Sequence, residues 1–534
     1  MLIKQLLLTG ILVAMSGSAW GAPMLQPYPA PVSGVRLTPA VSPSPSINGA
    51  KVYGVHPGSD IIFKVATSGD RPMKFSAKGL PSGVKLDPKT GIFSGKITVP
   101  GDYPIQVLAK NAHGQAKDTI ILRVGKTLIL TPPMGWNSWY SFNEALSQDG
   151  VLKTARLMEE TGLGDHGWSY INMDDCWQGE RGGPLKAIQP NERFRDMKAM
   201  CDEVHSRGFK IGLYSGPWVS TYAGFAGGSC DNPEGDYNPG AIPLKERKQP
   251  GQYYGSWPGL HNRKMDHIGK YWFFDKDAKQ WAQWGFDYVK VDWLPNDVPT
   301  TERIFKDLQN SGRSIALSLS NAAPYENMDG LSKYANVTRT TGDIHDSWGS
   351  IKGIGFSQER WQKYTRPGCW CDPDMLQVGH LGKTGQANTT FTPTRLTPDE
   401  QYTQVSLWSL LSAPLLMSCD LEALKSDPFT LGLLCNDDII SVNQDPAGNP
   451  AKRVMDKDGI QVWTKELKDG SIAVGFFNLN DDKKEASIRA DEMNLKGRLN
   501  ARDLWKRKEA GTVKDTVRVE LNPHGATMMR FSKK

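Results

Sequence analysis

Seven charged side chains stand where buried strands ordinarily end in apolar residues. Asp174 and Asp175 follow SYINM, Lys290 and Asp292 lie within DYVKVDW, Asp343 follows VTRTTG, and Asp372 and Asp374 fall in CWCDPDM. A single Asp after a strand is ordinarily a turn residue or a helix N-cap. Four strand ends carrying carboxylates are harder to read that way. Paired carboxylates suit cleavage of a glycosidic bond, in which one attacks or activates water at the anomeric carbon and the other protonates the departing oxygen. Lys290 precedes Asp292 by two residues and so shares its strand face, where it is expected to keep that carboxylate ionised. Asp343 stands four residues after Arg339 in a neutral Thr/Gly run, and its local sequence alone assigns it no role. Tryptophan supplies 17 of 534 residues, and Trp136, Trp139, Trp177, Trp218, Trp293 and Trp370 fall in polar surroundings. Beside carboxylates, such rings suit a pocket that stacks the apolar faces of a sugar.

The elements that must position these groups follow from periodicity. Between residues 127 and 447, strand-like runs alternate with helical stretches: PPMGW, SYINMDD, KIGLYSG, DYVKVDW, SIALSLS, VTRTTGD, CWCDPDM and PLLMSCD are the strands. GVLKTARLMEE, FRDMKAMCDEVHSRG, DAKQWAQWG, TERIFKDLQNSG and a segment opening with the capping box Thr397-Pro398-Asp399-Glu400 are the helices. Eight such units predict a (β/α)8 barrel, in which the strand C-termini converge on one face. A doubly wound open sheet is the alternative, but no Gly-rich phosphate loop follows the first strand.

Flanking segments read differently. Residues 1–22 carry Lys4, an apolar run and a small-x-small cleavage signal, so a secretory signal peptide and a periplasmic or extracellular destination are expected. Residues 23–47 are a Pro-rich linker, and 48–126 show the short alternating strands of a β-sandwich resembling exported immunoglobulin-like modules. Residues 448–534 return to alternation with polar turns, hence a C-terminal antiparallel β domain. No later run is long enough to span a membrane. The net charge of +6 is spread without a dense basic stripe, so no nucleic-acid partner is expected. Seven cysteines in an exported chain leave at least one unpaired.

TPPMGWNSW, INMDDCW, GLYS, YVKVDW, RTTGDIHDSW and WCDPDML occur in the order and near the spacing of glycoside hydrolase family 27, the clan D α-galactosidases and α-N-acetylgalactosaminidases, which this chain resembles over about residues 127–534. The resemblance implies retaining hydrolysis of terminal α-galactosides on a barrel with a C-terminal β domain, without metal or organic cofactor. It also implies Asp292 as nucleophile and Asp343 as general acid/base, protonated before the first step. Trp136 would stack on the sugar; Asp174, Asp175, Tyr214, Lys290, Ser320, Arg339, Asp374 and Met375 would complete the pocket. The cysteines with which many relatives bridge the positions of Cys176 and Cys230 are missing, which predicts a largely reduced barrel. In SLSNAAP, Ser320 and Ala322-Ala323 resemble the α-N-acetylgalactosaminidase arrangement, with room for a 2-acetamido group. β-L-Arabinopyranosidase stays open on the same scaffold, and a non-catalytic carbohydrate-binding protein is the alternative from another class. The Gly-, Pro- and Trp-rich insertion at about 218–272 either shapes the leaving-group side or is a surface excursion.

Overall fold

The computed structural model describes residues 35–235, 267–382 and 390–533, all within the compact unit Pro31–Lys534. The expected signal peptide, the first part of the Pro-rich segment and the middle of the 218–272 insertion lie outside the described residues.

Eight short parallel strands form the centre: β1 (Met134–Asn137), β2 (Tyr170–Asn172), β3 (Lys210–Ser215), β4 (Tyr288–Asp292), β5 (Ala316–Ser320), β6 (Val337–Arg339), β7 (Trp370–Asp372) and β8 (Leu415–Met417). Their hydrogen-bonded order is β7-β6-β5-β4-β3-β2-β1-β8. The two edges meet where Leu376, just beyond β7, bridges Met417 in parallel and donates its N–H to Leu416 O at 2.8 Å. This is the (β/α)8 barrel that the eight runs predict. All five residues of β5 are buried, and in β4 only Lys290 is partly exposed, because parallel strands are covered on both faces.

Helices α1 (Gln148–Glu160), α2 (Met197–Ser206), α3 (Phe274–Trp284), α4 (Val298–Gln309), α5 (Trp348–Gly355) and α6 (Pro398–Leu410) alternate with the strands. Side chains of Ser147, Asp196, Asp297 and Thr397 cap four of them, each worth about 1 kcal/mol against an uncapped end. The expected capping box is present at α6: Glu400 N–H donates to Thr397 Oγ1, and Thr397 N–H donates to Glu400 Oε2. Every residue of α6 from Glu400 onward is buried. Strands of the C-terminal sheet cover its outer side, where Glu400 also meets His524 at 2.8 Å. That sheet has six antiparallel strands, with a further pair, Lys484–Arg489 and Thr516–Leu521, alongside.

The N-terminal module is a sandwich of a four-stranded and a three-stranded sheet around Phe93, Ile105, Val107 and Leu122. It packs against the ends where the barrel strands begin. His56 N–H donates to Ser314 Oγ, Lys64 and Arg71 pair with Asp165 at 3.3 and 2.7 Å, and the Lys210 ammonium lies between the rings of Tyr53 and Tyr170. The Pro-rich segment is more than a linker over its described part. Ser46–Ile47 pairs with Thr67–Ser68, Tyr402 Oη donates to Val35 O and accepts from Leu37 N–H, and Asn436 donates to Thr38 Oγ1. Residues 35–47 are therefore a strap joining the module to the barrel. Among the described residues no helix is long and apolar enough to cross a membrane.

Candidate active site

Register sets the level of the functional side chains. Asn137 pairs with Asn172, Tyr214 with Lys290, Asp292 with Ser320, and Arg339 with Asp372. The strands thus deliver their charged ends to one face of the barrel.

Asp174 and Asp175 lie in the tight turn after β2, where Cys176 adopts φ 84°. Asp174 Oδ2 accepts from Lys290 Nζ at 2.8 Å and Asn137 Nδ2 at 2.9 Å, while its Oδ1 accepts the Asp175 N–H. Asp175 accepts the N–H groups of Cys176 at 2.8 Å and Ala223 at 2.9 Å. Burial pushes its carboxyl up to about 7 against those bonds. The start of the long insertion therefore reaches the site through Ala223.

Asp292 closes β4. Tyr214 Oη donates to its Oδ2 at 3.1 Å, whereas Oδ1 is buried without a partner. Burial raises its carboxyl to about 6, although Lys290 and Arg339 pull downward; the nearby charges of Asp343 and Asp174 add to the rise. The sequence expectation is corrected here in one respect. The ammonium of Lys290 is bonded to Asp174, so it supports ionised Asp292 only across space, and desolvation wins.

Arg339 is the hub opposite. It is 5% exposed and donates to Asn321 Oδ1 at 3.2 Å, Asp343 Oδ1 at 2.6 Å and Thr341 O at 3.1 Å, with Asp374 Oδ2 at 3.5 Å. Asp374 adopts φ 80°, and its two oxygens accept the N–H groups of Ile344 and Met375. Asp343 lies four residues beyond β6 rather than at its end, in a loop at the mouth, with its side chain half exposed. What burial it has pushes its carboxyl upward less than Arg339 and Lys290 pull it down, so it sits below the usual carboxylate range. In the empty site the proton is therefore favoured on buried Asp292, because Arg339 selects the anion of Asp343.

Lys290, Ser320, Arg339, Asp374 and Met375 line one cavity of about 20 Å³. Ser320 Oγ is buried there without a partner. Ten of the eleven residues expected in the site are thereby gathered at the strand ends. Trp136 is the correction. It is 1% exposed, with its Nε1 donating to Cys419 O and its ring edge-on to Phe142, so it has no free face for a sugar. Trp139, which opens the short helix Trp139–Phe142 beyond β1, keeps part of its surface accessible. Asn137 and Asn321 were not expected. The Asn in GWNSW was a visible signal for Asn137; nothing local marks Asn321 or the backbone N–H of Ala223. All seven cysteines are buried, and no disulfide links them.

Carboxylates from several strand ends of a (β/α)8 barrel, two of them with opposed shifts, define a glycosidase-like site. Comparison with known proteins agrees. Residues 131–239 and 259–445 match the model of the "Alpha galactosidase A" family, 457–531 its "C-terminal beta sandwich domain", and 38–125 a "Putative Ig domain". α-Galactosidase 2 of Arabidopsis thaliana is 32% identical over 76% of this chain and 91% of its own length; an α-galactosidase of Cyamopsis tetragonoloba is 32% identical over 74% and 85%. A solved structure from Bacteroides fragilis described as a "putative alpha-galactosidase" superposes with TM-score 0.78 at 30% identity, covering 93% of this chain and 99% of that one. A β-L-arabinopyranosidase of Geobacillus stearothermophilus reaches TM-score 0.62 at 26% identity, covering 76% and 97%. The chain belongs to the α-galactosidase A family, glycoside hydrolase family 27, and is a glycoside hydrolase.

Proposed function

We propose that the protein is an exported retaining exo-glycosidase that removes terminal α-galactosyl residues from oligo- or polysaccharides. The observation that carries this reading is the division of labour at Asp292, whose Oδ2 is held by Tyr214 while its Oδ1 is buried and unpartnered. One oxygen is oriented and the other is available to attack. A protein that only binds carbohydrate has no use for a desolvated carboxylate oxygen of this kind, which costs stability and accepts no bond.

In the first step Asp292 Oδ1 attacks the anomeric carbon, the bond to the leaving oxygen breaks, and Asp343 delivers the proton to that oxygen. For this Asp343 must leave Arg339 and take up the one proton the pair holds, which leaves Asp292 ionised; the guanidinium keeps Asn321 and Asp374 when it does. Once Asp292 is an ester its charge is gone, and Asp343 takes the proton of the incoming water while the ester bond breaks. Asp174, fixed by Lys290 and Asn137, and Asp175 accept sugar hydroxyls, and Trp139 offers its accessible ring surface.

An α-N-acetylgalactosaminide is the second reading, favoured by the unpartnered Ser320 Oγ beside small Ala322 and Ala323. Against it stands the cavity that Ser320 lines, which at about 20 Å³ holds about one water. The test is release of p-nitrophenol from the α-galactoside, the α-N-acetylgalactosaminide and the β-L-arabinopyranoside, with the product anomer followed by NMR. Fastest release from the α-galactoside with α-galactose formed first supports the proposal; no release from any of the three sinks it. Export rests on the signal-like N-terminus, and finding the chain in the cytoplasm with residues 1–22 intact would contradict it.

A further inference from the structure

Asn321, the first residue after β5, sits on backbone that few side chains adopt. It and Ala322 both take left-handed dihedrals, φ 79° and 49°, which Asn tolerates better than most residues and Ala poorly. Two bonds hold this bend against the end of β6: Ala322 N–H donates to Thr341 O and Ala323 N–H to Arg339 O, each at 3.0 Å. Strain that its surroundings keep in place gathers at functional sites. Its effect here is to bring Asn321 Oδ1 to the guanidinium of Arg339.

Arg339 divides its donors so that Asn321 and Asp343 share one nitrogen. Nε donates to Thr341 O, and Nη1 faces Asp374 Oδ2. Nη2 has two N–H groups to give. Its acceptors are Asn321 Oδ1 at 3.2 Å and Asp343 Oδ1 at 2.6 Å. The loop that carries Asp343 is anchored on both sides of it. Thr341 O accepts from Ala322 N–H and Arg339 Nε, while Ile344 donates its N–H to Asp374 Oδ2 and accepts from Tyr140 Oη. Between these anchors Gly342 and Asp343 make no backbone hydrogen bond among the described residues, and the space beside Gly342 is open. Asp343 can therefore swing while Arg339 stays.

We propose that Asn321 is a positioning residue for the acid/base step: it holds Arg339 Nη2 in place and partnered when Asp343 turns from Arg339 to the glycosidic oxygen. This rests on Asp343 as the acid and adds a residue that acts on it through Arg339. With Asn321 present, departure of Asp343 leaves Nη2 one of its two bonds. Without Asn321, departure strips Nη2 of both, in a side chain only 5% exposed, where water does not readily replace them. Arg339 would then hold Asp343 more firmly in its anionic, outward position. Asp292 and its bond from Tyr214 would be untouched.

The charges around the pair show why an amide suits this place. Facing Arg339 and Asp343 are Asp372 and Asp374 from the end of β7, Asp292 and Lys290 from β4, Tyr140 from the helix beyond β1, and His345 on the loop itself. Asn321 adds an acceptor for Nη2 without adding a further anion. The positive charge of Arg339 thus stays available to draw Asp343 back, as an anion, once its proton has been given up.

The experiment compares kcat/KM of the full-length protein on 2,4-dinitrophenyl α-galactoside, whose leaving group needs no proton, and on methyl α-galactoside, whose leaving group does. Asn321→Gly is chosen because Gly accepts the left-handed backbone. It should lower kcat/KM by about tenfold or more for the methyl galactoside and by less than about threefold for the dinitrophenyl one. Asn321→Asp keeps the acceptor, so the ratio between the two substrates should stay within about threefold of wild type. Its added anion should move the alkaline limb of kcat/KM, where Asp292 and Asp343 together lose their proton, upward by about half a pH unit or more. Equal losses on both substrates in Asn321→Gly would mark a binding or folding role and overturn the proposal. If Asn321→Gly does not fold, Asn321→Asp decides, and an unmoved limb overturns it. Asp343→Ala separates the two levels of the reading. If it affects both substrates alike, the acid assignment has failed; if it spares the dinitrophenyl galactoside and Asn321→Gly does not, only the role of Asn321 has.

Discussion

Strand β4 has an aspartate beside each end, and the two live in opposite circumstances. Asp287, just before its start, is buried but fully engaged: His205 at 2.8 Å, Arg313 at 2.6 Å and the Ile211 N–H at 3.0 Å. Burial alone would raise its carboxyl; His205, Arg313 and the backbone more than offset that and hold it below the usual value. Asp292, at the other end, is equally deep, yet has one hydroxyl on one oxygen and nothing on the other, and rises to about 6. The contrast extends beyond this strand. At the strand starts Asp165 meets two cations and Lys210 is enclosed by aromatic rings, whereas at the strand ends Ser320 Oγ and Asp292 Oδ1 are left unsatisfied. A carboxylate surrounded by partners stabilises the fold; one denied them costs stability, and in the proposed function it is held ready to react.

The sharpest test of that contrast is replacement of each aspartate. Asp292→Ala should lower kcat/KM for the α-galactoside by about 10⁴-fold or more, and added azide should restore turnover with β-galactosyl azide as product. Recovery of the α-azide would contradict attack by Asp292. Asp287→Asn should leave turnover per folded molecule unchanged while unfolding becomes easier by about 3 to 5 kcal/mol, because His205 and Arg313 lose their buried counter-charge. Chemical denaturation reads this directly.

Stability should move the other way at the reactive end. Ionising Asp292 is harder in the folded chain than in the unfolded one, since its folded value lies near 6 against 3.8. Asp292→Asn is therefore expected to stabilise the protein by about 3 kcal/mol at pH 7. The gain should fade as pH falls through about 6 and vanish below the unfolded value. For Asp287 the stabilisation is present above the ordinary Asp value and is lost as acid carries the pH through its lowered folded value. Matching signs for the two Asn variants at pH 7 would break the comparison.

The pH profile of activity offers a third measurement. Because the active form carries one proton on the pair, on Asp343 with Asp292 ionised, kcat/KM should fall on the alkaline side with a midpoint near pH 6, where the pair loses that proton. The smallest effect is expected from Tyr214→Phe. Loss of the hydroxyl on Oδ2 should cost about 1 to 1.5 kcal/mol, roughly tenfold in kcat/KM, and shift that limb upward. An unchanged limb would mean that Tyr214 does not tune Asp292.

Much of this was legible in the chain. The positions of Asp174, Asp292 and Asp374 at strand ends follow from alternation and strand–helix order, and the box at Thr397 and Glu400 marked the start of α6 correctly. What was not legible depended on who neighbours whom. Lys290 shares a strand face with Asp292, but its ammonium reaches across to Asp174 because β2 lies two strands away around a closed ring. Asp343 has a neutral local sequence, and only the fold shows how Arg339 holds its charge. Trp136 and Trp139 lie in the same GWNSW string, and their opposite burial comes from helix Trp139–Phe142 turning the chain over the barrel rim.

By itself, the sequence determined the kinds of groups available and the strand ends that carry them, because side-chain alternation and helix caps are local consequences of backbone geometry. Tertiary structure alone decided which carboxylate is satisfied and which is left bare, on which barrel face the N-terminal module docks, and that His166 and Asp437 meet. Those outcomes rest on desolvation and on contacts between residues far apart in the chain, and neither is a property of any short stretch of it.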